Sequence, residues 1–333
     1  MAEPAAPKAP FEVLCATMRA RKIALGLLFS AVAVGAAAQP PPQAVAPEQG
    51  LTEGQAQPID EVVVRGRRMS EIEADLRIVV RDFIGDVVAV PAGRGYARWH
   101  RSVCIGSHNL ESTAAQYVVD RISQLALEVG LTPGEPGCQP DVIIIFTTDA
   151  KQVASVMVEN WPRLFRPSAV SSDLTLSRAA LDEFAESERA VRWWHVSMPV
   201  DARTGQRAIR LSGDPIPVVG VAGPSRIHNG TRDDLRSVFI IVDGTKLAGT
   251  TWQQLADYLA VVSLAQVHPD ANPAAYDSIL NLFSNPNAYS GLTDWDRSYV
   301  RALYEFDQER RPQAQTGDLV SKMARRELDP RLE

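Results

Sequence analysis

The chain has 333 residues, 45% of them hydrophobic and 22% charged, with a formal net charge of −6. That composition belongs to a folded protein rather than a disordered one, and the length holds one large domain or two small ones. The acidic balance leaves no electrostatic footing for nucleic acid.

The first stretch reads as an export signal. Arg19, Arg21 and Lys22 form a basic region, and residues 23–35 are apolar but too few to span a bilayer as a mature helix. Ala36, Ala37 and Ala38 follow as a small-residue cleavage site. A signal peptide over residues 1–38 is therefore expected, with Met18 as an alternative start and a retained membrane anchor as the competing reading. No cysteine stands directly after the apolar region, which argues against a lipid anchor. Cleavage would remove four basic and two acidic residues and take the net charge from −6 to −8. Residues 39–58, rich in Pro, Gln, Ala and Gly, read as a disordered linker. The remainder, 59–333, reads as one domain in the periplasm or outside the cell, with no stable membrane span. Cys15 falls in or before the signal, so Cys104 and Cys138 are left as a pair in an oxidising compartment. A disulfide between them is expected; two free buried thiols are the alternative if the chain is not exported.

Within the domain, residues 61–64 read as a short strand and 65–68 as a basic, solvated turn. Ser70 and Glu73 look like a capping box for a helix with Ile72, Leu76, Val79, Val80 and Phe83 on its inner face and Gly85 at its end. Residues 101–105 read as a strand, and 110–129 as an amphipathic helix ending at Gly130. Residues 141–146, Asp-Val-Ile-Ile-Ile-Phe, form an apolar run of the kind found in a strand covered on both faces. Strand, helix, buried strand predicts a crossover with parallel strands. Helices are expected over 150–160 and 178–188, and strands over 191–197, 215–221 and 237–242, with a turn at Thr204–Gly205. Residues 252–267 carry no Lys, Arg or Glu and are apolar nearly all round, so they read as a buried helix, started by Thr251 and Gln254. Asp257 is its one formal charge. A turn from His268, the apolar segment 277–283, a capped helix at 292–296 and a last amphipathic helix over 316–328 complete the chain. The fold class expected is α+β: a mixed sheet, a buried central helix and C-terminal helices.

This order resembles that of zincins, in particular metzincin-like metalloproteases, in which a mixed sheet precedes a central helix carrying HExxHxxGxxH, then a turn with a methionine, then a C-terminal helix. Asp277, Ser278, Ile279 and Leu280 stand where such proteins often have a Ser-Ile-Met turn. Gly291 to Asp296 and Val300 to Tyr304 are similar to their closing "LSxxDxxAIRxLY" helix. The metal motif does not carry over. In the best register Asp257, Tyr258, Val261, Leu264 and Val267 take the positions of the first two metal-motif residues, the second His, the Gly and the third His. No HxxxH spacing occurs in the chain, and a catalytic zinc needs three protein ligands. The chain more closely resembles a group of uncharacterised exported proteins of alphaproteobacteria. The resemblance rests on Ala97 to Cys104, Pro136 to Cys138, Ser225 to His228 with Thr231 and Arg232, Leu255 to Leu259 and Thr293 to Tyr304. It implies export and a degenerate zincin-like domain, and no activity.

No metal site and no cofactor are expected, and the absence of a zinc motif points away from an enzyme. The ligand-binding cleft is expected around Trp193, His195, Asp257 and Tyr258, with a protein, peptide or other envelope component as partner. The alternative is a hydrolase built on Asp257, His268 and His195. Strand alternation sends Trp193 and His195 to one face and Trp194 to the other, which suggests one core aromatic and a partly exposed pair. His268 is expected to face the carbonyl end of the buried helix, or else the mouth of the cleft. His100, His108 and His228 lack metal spacing. A lone carboxylate such as Asp257 on an apolar helix is expected to be ion-paired. The last helix, with Leu319, Val320, Met323 and Ala324 on one face, is a candidate docking surface. No Walker, Rossmann or G-x-S-x-G pattern is present.

Overall fold

In chain order the elements are α1 (Met69–Val87), β1 (Ser102–Val103), β2 (Ile105–His108), α2 (Ser112–Glu128), β3 (Thr132–Pro133), β4 (Val142–Thr147), α3 (Ala150–Asn160), α4 (Pro162–Phe165), α5 (Arg178–Glu186), β5 (Val191–Asp201), β6 (Thr231–Asp243), α6 (Trp252–Leu264), α7 (Asp294–Glu305) and α8 (Pro312–Leu328). This computed structural model describes residues 68–91, 93–167, 176–208 and 230–329, which all fall in one unit, Val64–Glu333. The expected signal, linker, strands at 61–64 and 215–221 and His228 lie outside the described residues.

The protein is a mixture of helices and mixed sheet. The main sheet has the order β2-β4-β6-β5. Strands β2, β4 and β6 run parallel, with Ile105 opposite Val142 and Val142 opposite Val238, and β5 runs antiparallel at the edge. The expected crossover is present: β2, α2 and β4 follow one another, and the two strands are parallel. The strand itself is displaced from 101–105. The chain leaves the small β1-β3 pair at Cys104, whose carbonyl accepts from the Asp141 and Val142 N–H groups, and only then enters the main sheet.

Helix α6 explains why the sheet strands are apolar on both faces. Val142, Ile144, Phe146, Val238, Ile240 and Val242 share one core with α6, α2, α1, α7 and α8. On the opposite face Phe165 of α4 stacks near Phe184 and Phe239, and Trp194 donates its indole N–H to the Phe165 carbonyl. Sequence and structure differ on several boundaries. Helix α1 runs past Gly85 to Val87, and its buried residues are Val80, Phe83, Ile84 and Val87. Ile72 and Val79, expected to point inward, are exposed: Ile72 lies in the first half of α1, before the buried residues begin, and Val79 falls off the stripe that Val80, Phe83, Ile84 and Val87 bury. Helix α6 ends at Leu264 rather than at residue 267. The apolar stripe of α8 is fully buried against the core, so it presents no docking surface.

Cys104 and Cys138 are at disulfide distance, with Sγ atoms 1.96 Å apart. They tie the start of β2 to the loop before β4, and a Cβ on Gly134 would fall 2.4 Å from the Cys138 sulfur, so this loop needs glycine there. Among the described residues no helix is long and apolar enough to cross a membrane. The bridge spans a sequence separation of 34 residues, for which the chain-entropy relation gives about 3–4 kcal/mol. Replacing both cysteines by serine should lower stability by that amount in urea denaturation, and a loss below about 1 kcal/mol would contradict this assignment.

Candidate functional site

The C-terminal end of α6 is buried, and the last carbonyls of any helix lack intrahelical partners. Here they receive side-chain donors from several other elements. His195 Nε2 donates to the Val262 carbonyl at 2.8 Å, Trp99 Nε1 to Ser263 at 2.8 Å and the Tyr304 hydroxyl to Leu264 at 2.9 Å. Trp193 Nε1 donates to the Val267 carbonyl just beyond, at 2.9 Å. Trp193 and His195 are therefore on one face of β5, as alternation requires, but they are not partly exposed. His195 is only 7% exposed, and Trp193 and Trp194 are also buried. An edge strand with helices on both faces has no solvated face to offer. Burial pushes the His195 imidazole down to about 4, and its carbonyl partners oppose that shift only in part.

Asp257 is 1% exposed and fully engaged. Its Oδ1 accepts from Arg121 Nε at 2.5 Å and its Oδ2 from Arg121 Nη2 at 3.1 Å and from the Leu292 N–H at 2.9 Å. The carboxylate thereby joins α6 to α2 and to the entry of α7. A Cβ on Gly291 would stand 2.5 Å from Oδ2, so glycine is what lets the chain approach this close. His268 is half-buried and lies past the end of α6. Its Nδ1 accepts from the Asp270 N–H at 3.0 Å and its own N–H donates to the Val87 carbonyl, so it does not face the helix terminus. The helix stops four residues short of it. Asp257, His195 and His268 thus each bond to different partners, and no hydrogen bond joins any two of them. Among the described residues no three His, Cys, Asp or Glu side chains converge as a metal site would require.

A cavity of about 250 Å³ lies between the start of β5, one face of α6 and the segment after it. Trp193 and Tyr258 line it, together with Arg189, Val191, Val267, Pro273, Leu280 and Phe283. His195 and Asp257, expected in the same cleft, do not line it, because the α6 carbonyls and Arg121 claim their polar atoms. Tyr258 packs edge-on against Trp193 and Phe283, with centroids 6.1 and 5.1 Å away. It is 4% exposed, and no hydrogen bond joins its hydroxyl to the described residues. Burial raises its ionisation above the ordinary tyrosine value, against the nearby charge of Arg189. Arg189 itself donates to the Pro269 carbonyl and to Asp270 Oδ1, both at 2.5 Å, in an exposed arrangement. Sequence reading missed Arg189 and Phe283 as lining residues. Phe283 lay in a segment read as core, and Arg189 is one of several charges in a loop with no distinguishing spacing. Comparison with family models, curated proteins and solved structures finds no match for this chain.

Two outcomes follow from these contacts. Replacing Arg121 by methionine strands the Asp257 carboxylate in the core, and breaking a buried pair of this kind costs about 3 kcal/mol. The denaturation midpoint should fall accordingly, and a shift worth less than about 0.5 kcal/mol would show the pair to be idle. His195 is neutral in the folded protein down to about pH 4, whereas in the unfolded chain it takes a proton near pH 6.5. Folded stability contributed by the neutral ring is complete above pH 6.5 and is lost as pH falls from there towards 4, by up to about 3 kcal/mol. In His195→Gln, whose amide still reaches a carbonyl acceptor, that part of the pH dependence should vanish. Identical stability profiles for the two proteins between pH 6.5 and 4.5 would contradict it.

Proposed function

We propose that this is an exported, non-catalytic domain of degenerate metalloprotease-like fold that binds a protein or other envelope ligand in the cavity beside α6. The observation that carries this reading is where the cavity lies. In the zincin register, Tyr258 and Val267 replace two residues of the metal-binding motif and Leu280 replaces the methionine of the following turn, and all three line the cavity. The order of elements supports it too: a mixed sheet, a helix with no solvent face, an irregular turn through Ile279–Asn281 and a capped C-terminal helix. Asp296 belongs to that frame. It is buried and accepts from Ser278 Oγ, the Ile279 N–H and the Thr293 N–H and hydroxyl, so it holds the turn to the start of α7. The disulfide and the lack of a membrane-spanning helix among the described residues are compatible with export.

The side chains present support a loss of chemistry with retention of a cleft. Val261 cannot ligate a cation and Asp257 is tied to Arg121, so two of the positions that would build a zinc site are filled by core and by an ion pair. What remains is a concave surface that mixes apolar side chains with polar groups, as ligand pockets do.

Protein purified from zinc-replete medium should contain far less than one metal atom per chain and should not cleave casein. A photo-crosslinking amino acid at Phe283 should form a discrete adduct in intact cells, and Ala190→Trp, which fills the cavity from its rim, should abolish it. Stoichiometric zinc with peptide cleavage, or an adduct indifferent to Ala190→Trp, would overturn the reading.

A further inference from the structure

We infer that the cavity beside α6 selects an apolar group that carries a carboxylate, with Arg189 and the Tyr258 hydroxyl as the two donors that hold it. The inference rests on the reading above that this cavity is the ligand site, and it specifies the ligand's chemistry.

The first observation is the Tyr258 hydroxyl. A phenol hydroxyl that makes no hydrogen bond to the protein at a cavity wall is free to donate to whatever enters. Tyr258 is 4% exposed as a residue and borders the cavity, and no hydrogen bond joins its hydroxyl to the described residues. A ligand oxygen within the cavity would complete it. The second observation is Arg189, which borders the same cavity and whose charge reaches the phenol. A guanidinium and a hydroxyl donor on the walls of one small cavity match the two oxygens of a carboxylate. The third is what Arg189 now holds. Its partner Asp270 is more than half exposed, and an exposed ion pair of this type contributes little. An incoming carboxylate can therefore take the place of Asp270 without disturbing the core.

The remaining walls settle the rest of the ligand. Apart from Arg189 the wall carries no charge: Trp193, Val267, Leu280 and Phe283 offer apolar surface to the body of the ligand, and Ser284 adds one hydroxyl. At about 250 Å³ the cavity is smaller than the roughly 300–1,000 Å³ of pockets for drug-sized ligands, and suits a single ring or branched side chain. Two sources share this chemistry: a small aryl or alkyl carboxylic acid, and the C-terminal residue of a peptide.

Isothermal titration of the oxidised, full-length protein separates them. The probes are 3-phenylpropionate, its amide, and a short peptide ending in Phe with a free or an amidated C-terminus. The free acids should bind about tenfold more tightly than the amides, a ratio expected for a charge-assisted bond. Arg189→Met should bring the acids down to the level of the amides, and Tyr258→Phe should weaken the acids several-fold. Asp270→Asn, which frees Arg189 from its competitor, should tighten the acids roughly threefold. Binding of the peptide acid more tightly than 3-phenylpropionate identifies a peptide C-terminus, and the reverse order identifies a small acid. Equal binding of acids and amides, unaffected by Arg189→Met and Asp270→Asn, overturns the inference and leaves the binding role of the cavity standing. Failure of every probe at millimolar concentration also overturns it, and the crosslinking result then decides the role of the cavity by itself. Arg189 and Asp270 are surface residues, so circular dichroism should show those two variants folded as the wild type.

Discussion

The buried carbonyl end of α6 is the constraint on which the architecture turns. A helix that ends at the surface leaves its last carbonyls to water. This one ends inside the core, where an unpaired carbonyl costs on the order of 1–3 kcal/mol. Its carbonyls are met by the rings of His195, Trp99 and Tyr304, which come from β5, the segment before β1 and the end of α7. Each ring spends most of its area on packing and one polar atom on the bond. The three donors therefore fix the distance of the sheet, the 95–100 segment and α7 from one helix end at once. At the other end of α6 the same demand is met differently. Thr251 and Gln254 cap each other's backbone groups, and Gln254 also donates to the Pro286 and Tyr289 carbonyls.

Much of this was legible in the amino-acid order, and the parts that were not have a common cause. The absence of Lys, Arg and Glu from residues 252–267 announced a helix without a solvent face, and the Thr251–Gln254 pair marked its start, because both signals are local. Its end was not marked. Residues 265–267, Ala-Gln-Val, contain neither Gly nor Pro, and the helix stops where ring donors from distant segments take over its carbonyls. The apolar run in β4 was enough to place a strand covered on both faces. The burial of His195 was not legible, since alternation gives the face a residue points to and says nothing about whether that face is covered. Ile72 failed for the converse reason, since only the second half of α1 reaches the core, and Val79 failed because it falls beside the buried stripe of Val80, Phe83, Ile84 and Val87.

The candidate site was legible to the same depth. Trp193 and Tyr258 were recognisable as aromatic residues on a strand and a helix expected to face each other, and they do, 6.1 Å apart between centroids. Asp257 was recognisable as a carboxylate that needed a partner, yet its partner, Arg121, stands on α2, 136 positions away in the chain. Nothing in the spacing of either residue names the other. Arg189 was indistinguishable from neighbouring charges until the fold brought it beside Tyr258.

Adjacent residues on a helix point about 100° apart, a consequence of 3.6 residues per turn. Asp257 and Tyr258 use that angle to divide the labour of α6. Asp257 turns to α2 and the entry of α7, where an ion pair and a backbone N–H consume all of its capacity. Tyr258 turns to β5 and the Ile279–Phe283 segment, where its hydroxyl, joined by no hydrogen bond to the described residues, stands at the wall of a cavity. The described residues hold other buried polar atoms without a partner, among them Ser263 Oγ, Trp295 Nε1 and the Tyr299 hydroxyl, and each takes part of the few kcal/mol by which a domain is stable. The close pairing of Asp257, Asp296 and the last α6 carbonyls keeps that loss from growing. It also keeps any ligand from competing with the bonds that hold the fold, since the one ion pair at the cavity rim, Arg189 with Asp270, lies in water.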